Sequence, residues 1–243
     1  MTDSLIAYCG RAAVPDDLWM RWNFDPLLLA ALAALAFVGA RGRSVDARAG
    51  WGAIALRFVV FVSPLCALSS ALFSARVLHH VLLVSAVAPL LALAFPQRTA
   101  GPVPLALLVA FHAVMMWLWH APGPYAWGLA SVPAYWLMQA SLLGSAWLLW
   151  RAVLSPATHP GPALVALAVT IGQMGLLGAL IVFAAVPLYP VHFLSTLAWG
   201  FTPLADQQLA GLLMWVPAML PYLAVGLWLA WSSLRPAEVE AAA

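Results

Sequence analysis

Apolar residues run through this chain in long blocks, and the polar positions cluster between them. Seven blocks can be read, at about 24–40, 51–73, 76–95, 102–119, 132–154, 162–186 and 207–232. The breaks carry turn chemistry: Gly42 and Asp46, Ser74, Pro96 and Gly101, Pro122 to Pro124, Ser155 with Pro156 and Pro160, and Pro187 with Pro190. Blocks of roughly 20 apolar residues have the length that crosses a bilayer as a helix. They do not alternate as barrel strands would, and lipid offers the backbone no partner outside its own helix. The pattern therefore predicts an all-α fold, a polytopic membrane bundle of seven transmembrane helices. An N-terminal segment, 1–23, precedes the bundle at 24–234, and a tail, 235–243, follows it. Pro64, Pro89, Pro217 and Pro221 fall inside blocks and are expected to kink them, Pro217 freeing the carbonyl of Leu213.

Composition strengthens this reading. Hydrophobic residues make up 65% of the 243 positions and charged residues 7%, too little charge to cover a water-soluble globule. The net charge of +2 implies no nucleic-acid partner. All the basic residues are arginines, and they orient the bundle. With the N-terminus outside, the inner loops and ends hold Arg41, Arg43, Arg48, Arg98, Arg151 and Arg235, against Arg11, Arg21 and Arg76 outside. This bias favours an N-out, C-in topology. Arg57, within the second block, is read as snorkelling toward the inner headgroups. Two cysteines make no disulfide framework. Cys66 reads as a small apolar filler, and Cys9 as an outer thiol able to act as a soft metal ligand.

Ionisable groups at membrane depth are costly and point to function. Here they gather toward the outer half. The third block carries His79 and His80. The fourth carries His112, Met116 and His120 on one helical face, spread over about 12 Å of axis. The seventh opens with Asp206, Gln207 and Gln208 and reaches Met214. Imidazole and thioether form the donor set that suits copper, cuprous ion above all. Asp206 would orient a ligand or take its proton, with helix capping at the start of the seventh block as the competing role. No Gly-x-Ser-x-Gly elbow, phosphate loop or carboxylate pair suggests hydrolysis, and the chain does not read as an enzyme.

Several strings resemble one family. SPLCALSSALFSARVLHHVLL (63–83) with VAPLLALAFP (87–96), WLWHAPGPY (117–125), WGFTPLADQQLAGLLMWVP (199–217) and WNFDP (22–26) are similar, in order, to segments of the multi-span CtaG-type cytochrome c oxidase assembly factors. The resemblance implies a multi-pass protein of the bacterial inner (plasma) membrane that helps build a heme-copper oxidase, with copper as cargo. Its partners would be oxidase subunits or a copper chaperone, besides the lipid bilayer. It implies ligand roles for His80 and His120, and matches Asp206, Gln207, Gln208 and Met214 to its last segment. Where the family pattern carries further donors, this chain has Arg76, Val77, Tyr135, Met138 and Gln139.

The leading expectation is thus an assembly factor with a copper site drawn from His80, His120 and Met214, with Met116 or His112 in reserve and Asp206 behind them. Two alternatives stay open. One is a metal-free accessory or scaffold subunit of a respiratory complex. The other is a membrane protein clamping a heme between His80 and His112.

Overall fold

A computed structural model of the chain describes residues 8–38 and 45–234. The described residues are helical, with no strand among them. Helix α1 is Pro26–Val38, α2 Ala47–Phe61, α3 Leu65–Ala71 and α4 Phe73–Leu82. A π-helical turn at Leu83–Val87 joins α4 to α5, Ala88–Ala94. Then come α6 (Leu105–His120), α7 (Pro122–Ala130), α8 (Val132–Val153), α9 (Pro160–Phe183), α10 (Pro203–Trp215) and α11 (Leu220–Leu234). Each of the seven apolar blocks is thus occupied by helix. Arg41, Arg43, Arg235 and the tail, which bear on the orientation, lie outside the described residues.

The number of crossings is less simple than the number of blocks. Among the described residues, three helical stretches are long and apolar enough to cross a membrane: Phe73–Ala94, Pro160–Phe183 and Pro203–Leu234. Two bent pairs raise the number to five, α2 with α3 at 44° and α6 with α7 at 76°. Helix α1 has only 13 described residues. Helix α8 has 22 residues but mixes Gln139, Ser141, Ser145 and Arg151 into its apolar run.

Proline chemistry explains the breaks. At Pro64 the chain leaves the α2 path and restarts as α3. Pro217 interrupts the last long stretch with a short 3-10 turn, Pro217–Met219. Pro89 does not end the helical stretch. Its missing N–H would have bonded the carbonyl of Ser85, and the π-helical turn before it absorbs the mismatch so the stretch continues. The Val84 carbonyl within that turn accepts from the indole N–H of Trp150 at 3.0 Å.

Helix α10 sits between α9 and α4 and packs extensively on both. It meets α9 backbone to backbone. A Cβ placed on Gly211 would lie 2.6 Å from the Gly178 carbonyl oxygen and 2.5 Å from Val182 Cγ2. Only glycine permits this approach, as is common where helices pack within lipid.

The described part of the N-terminal segment, from Tyr8 on, is tied to the bundle. Asp25 caps α1 through the Leu27 N–H at 2.8 Å, and it accepts from the Tyr8 hydroxyl. Asn23 donates to the Phe61 carbonyl at 3.2 Å. The Trp199 indole donates to the Ala13 carbonyl at 3.0 Å. Most firmly, Cys9 and Cys66 form a disulfide, their Cα atoms 5.1 Å apart. This overturns the reading of Cys66 as filler and Cys9 as a free outer thiol. Fifty-seven residues separate the two in sequence. Cys66 lies at the start of α3, just past the 44° break at Pro64.

Candidate metal centre

Helices α4 and α6 bring two of the expected ligands into contact. His80 Nδ1 and His120 Nε2 lie 3.4 Å apart, both rings buried, their planes nearly perpendicular. Partners on the far side of each ring fix the proton positions. His120 Nδ1 lies 2.7 Å from the Met116 carbonyl, which can only accept, so Nδ1 carries the proton and Nε2 presents a lone pair. Nε2 of His80 lies 3.5 Å from the Gln139 amide nitrogen. The Gln139 Oε1 is buried without a partner. Turning that amide over would let Oε1 accept from a proton on His80 Nε2 and leave Nδ1 unprotonated toward His120. In the observed orientation the amide N–H donates to His80 Nε2 and Nδ1 carries the proton toward His120, so the His80 tautomer follows the way Gln139 is turned. The sequence places Gln139 near the same face as the histidines and marks it as a departure from a family pattern, with no role given to it.

The adjacent histidines of α4 diverge. His79 turns away to meet the edge of Phe61, with ring centroids 5.0 Å apart, and neither of its nitrogens has a partner among the described residues. His112, two turns below His120, is engaged elsewhere: its Nδ1 lies 3.0 Å from the Ser145 hydroxyl. Since Ser145 donates to Leu142, it accepts from His112. The structure thus brings His80 to His120 and ties His112 to α8. Met116 and Met214 are both buried in the same apolar core. Among the described residues, no three His, Cys, Asp or Glu side chains converge as metal ligands.

The Asp-Gln-Gln string has an architectural role. Asp206 reaches from α10 to the start of α4. It accepts from the backbone N–H of Phe73 at 2.7 Å and of Ser74 at 3.2 Å, and from the Ser74 hydroxyl. The residue preceding α4, Leu72, has no side chain able to cap, so the cap comes from another helix. Capping of α10 itself falls to Thr202, which accepts from the Ala205 N–H at 3.1 Å. Gln207 holds the loop after α9, accepting from the Leu188 N–H at 2.6 Å and donating to the Ile181 carbonyl at 3.2 Å. That loop then covers the pair: the Tyr189 hydroxyl donates to the His120 carbonyl at 2.7 Å, and its ring stacks on Phe73. His192, in the same loop, lies 2.6 Å from the Tyr125 hydroxyl, and burial pushes its pKa down to about 4.

Arg76 stands one turn before His80 on α4 and is fully buried, at 0% exposure. Its guanidinium lies over the Tyr135 ring, 5.3 Å from the centroid. None of its three nitrogens has a hydrogen-bonded partner among the described residues. Tyr135 in turn touches the disulfide, its hydroxyl 3.5 Å from Cys9 Sγ. The two histidines therefore share their half of the bundle with a fixed positive charge.

Residues 33–236 match the sequence model of the cytochrome c oxidase caa3 assembly factor family (Caa3_CtaG). The chain belongs to that family. Searches of curated proteins and of solved structures return no match. The match leaves WNFDP (22–26) outside it and spans the strings at 63–83, 87–96, 117–125 and 199–217. In this caa3 assembly factor the last of them works as a clamp, with Asp206 fixing α4 and Gln207 fixing the loop that covers the histidine pair.

Proposed function

We propose that this caa3 assembly factor aids metallation of a heme-copper oxidase by holding a copper ion transiently between His80 and His120. The observation that carries the reading is the facing pair of ring nitrogens. Imidazole–metal bonds of about 2.0 Å span the observed 3.4 Å at a bond angle near 115°, a trigonal arrangement. His120 offers a preset lone pair, and Gln139 can fix the other ring. A thioether from Met116 or Met214 is the candidate third donor, and soft sulfur favours the cuprous state. Two or three neutral donors bind without a charged cage, which suits a cargo that must leave again. Asp206, committed to α4, acts behind the site through helix position.

The bundle is read as seven spans in the bacterial inner membrane, with the disulfide end outside. Disulfides persist in oxidising compartments, which supports placing Cys9 and Cys66 on the periplasmic side, in line with the arginine bias. The role is accessory rather than catalytic, and the partners are oxidase subunits or a copper donor on that side.

Cuprous titration against a chromogenic chelator tests the site, beside the double variant His80→Ala/His120→Ala and Gln139→Leu. Wild type is expected to take up one ion, the double variant none, and Gln139→Leu to bind about tenfold more weakly. Equal uptake by wild type and double variant rules out these ligands. Arg76 favours a second reading, a metal-free scaffold that steadies an oxidase subunit. A buried guanidinium on the same helical face opposes a cation nearby. That reading expects stable co-purification with oxidase subunits and no copper uptake by wild type.

A further inference from the structure

Two cavities on the flank of the bundle join into one groove. The first, about 530 Å³, runs between α1, α2 and α8 and is walled by Leu28, Leu32, Trp136 and Leu143, with Gln139 beside it. The second, about 550 Å³, continues toward the opposite end past Phe95, Trp147 and Arg151. Leu35, Arg57, Ala140 and Leu143 border both. Small residues keep the groove open: a Cβ on Gly144 would meet nothing within 4 Å.

The groove is largely apolar; the first cavity also meets Gln139 and Asp25, the carboxylate being engaged by the Tyr8 hydroxyl and the start of α1, and the cations are Arg57 and Arg151. Arg57 lies within α2, and no carboxylate pairs with it among the described residues. Arg151 lies near the end of α8, its guanidinium over the Trp147 ring at 4.8 Å, its Nε buried without a partner. Two unneutralised guanidinium groups line the second cavity, Arg57 where it meets the first and Arg151 beyond, and they match an amphiphile with an anionic head there and hydrocarbon tails along the first. Arginine binds phosphate through paired donors, and the leucine walls accept acyl chains.

We infer that this groove is a binding site for one anionic phospholipid, its phosphate between Arg57 and Arg151 and its chains running along α1 and α8 toward Trp136. The site needs no bound copper. Its tail end abuts Gln139, whose amide lies 3.5 Å from His80, so lipid occupancy and the histidine pair share one side chain.

Native mass spectrometry of the full chain tests this, with phosphatidylglycerol and phosphatidylcholine of matched acyl chains as probes. Wild type is expected to retain one phosphatidylglycerol about tenfold more strongly than phosphatidylcholine. Arg57→Gln/Arg151→Gln should erase that preference, while Gly144→Phe, which fills the groove and keeps both charges, should lower retention of both lipids. Equal retention of the two lipids by wild type overturns the inference, as does a double variant that keeps the preference. A wild-type dimer that Gly144→Phe splits would give the groove to a second copy and overturn it too. Copper uptake is read separately, so failure here leaves the histidine pair untouched.

Discussion

Replacing Asp206 by alanine separates an architectural carboxylate from a chemical one. The side chain accepts from two backbone N–H groups, Phe73 and Ser74, and from the Ser74 hydroxyl, all buried at the start of α4. The hydroxyl can rotate to another acceptor, but the backbone donors cannot. Each buried donor left unpaired costs about 1–3 kcal/mol, and loss of a helix cap alone costs about 1 kcal/mol. A loss of about 3 kcal/mol follows, which for a domain of this size lowers Tm by about 6–12 °C. Asp206→Asn keeps one acceptor oxygen and should lose about half as much. Tryptophan fluorescence in detergent reads the melt, since Trp119 and Trp150 are buried reporters. Copper titration of the same samples below the melt supplies the second readout. Asp206→Ala that melts within about 2 °C of wild type yet takes up no copper would refute the capping account and return the carboxylate to the metal.

Three other outcomes are expected. Thiol labelling of the denatured, unreduced protein should modify neither cysteine, and reduction should expose both; in the chain-entropy view Cys9→Ser/Cys66→Ser costs about 4 kcal/mol for a loop of this length, so an unchanged Tm would contradict the crosslink. Gly211→Val should prevent α9 and α10 from packing and lower the yield of folded protein well below that of Gly226→Val, where a Cβ meets only side chains at 3.7 Å and beyond; equal yields would refute the close approach. His192, with its pKa lowered to about 4 by burial, binds fewer protons folded than unfolded between about pH 4 and pH 6.5, so it stabilises the fold above that window and the contribution falls away with acid, by about 3 kcal/mol in all. The test is the Tm difference between wild type and His192→Gln, which should shrink from pH 7 to pH 4; a constant difference would contradict the burial.

Hydrophobic blocks and turn residues were enough to give the helical class and the place of the long helices, because lipid removes all backbone alternatives but self-bonding; they read Pro122 to Pro124 as a break, where the chain forms α7. They also pointed to the half of the bundle where polar groups collect, and to His80 and His120 within it. Periodicity put His112, Met116 and His120 on one face, as found, but it could not say that Ser145 on another helix would claim His112. The same limit hid the partners of Asp206, 132 and 133 residues away in sequence, and the disulfide, whose cysteines are 57 positions apart. It hid the part Gln139 plays as well, since a tautomer depends on which groups face each ring nitrogen. What the chain alone determined was local, set by hydrogen-bond satisfaction and hydrophobic length. Which polar groups meet was decided by helix packing, where a rotation of one helix by a single residue, about 100°, turns a ligand into a bystander.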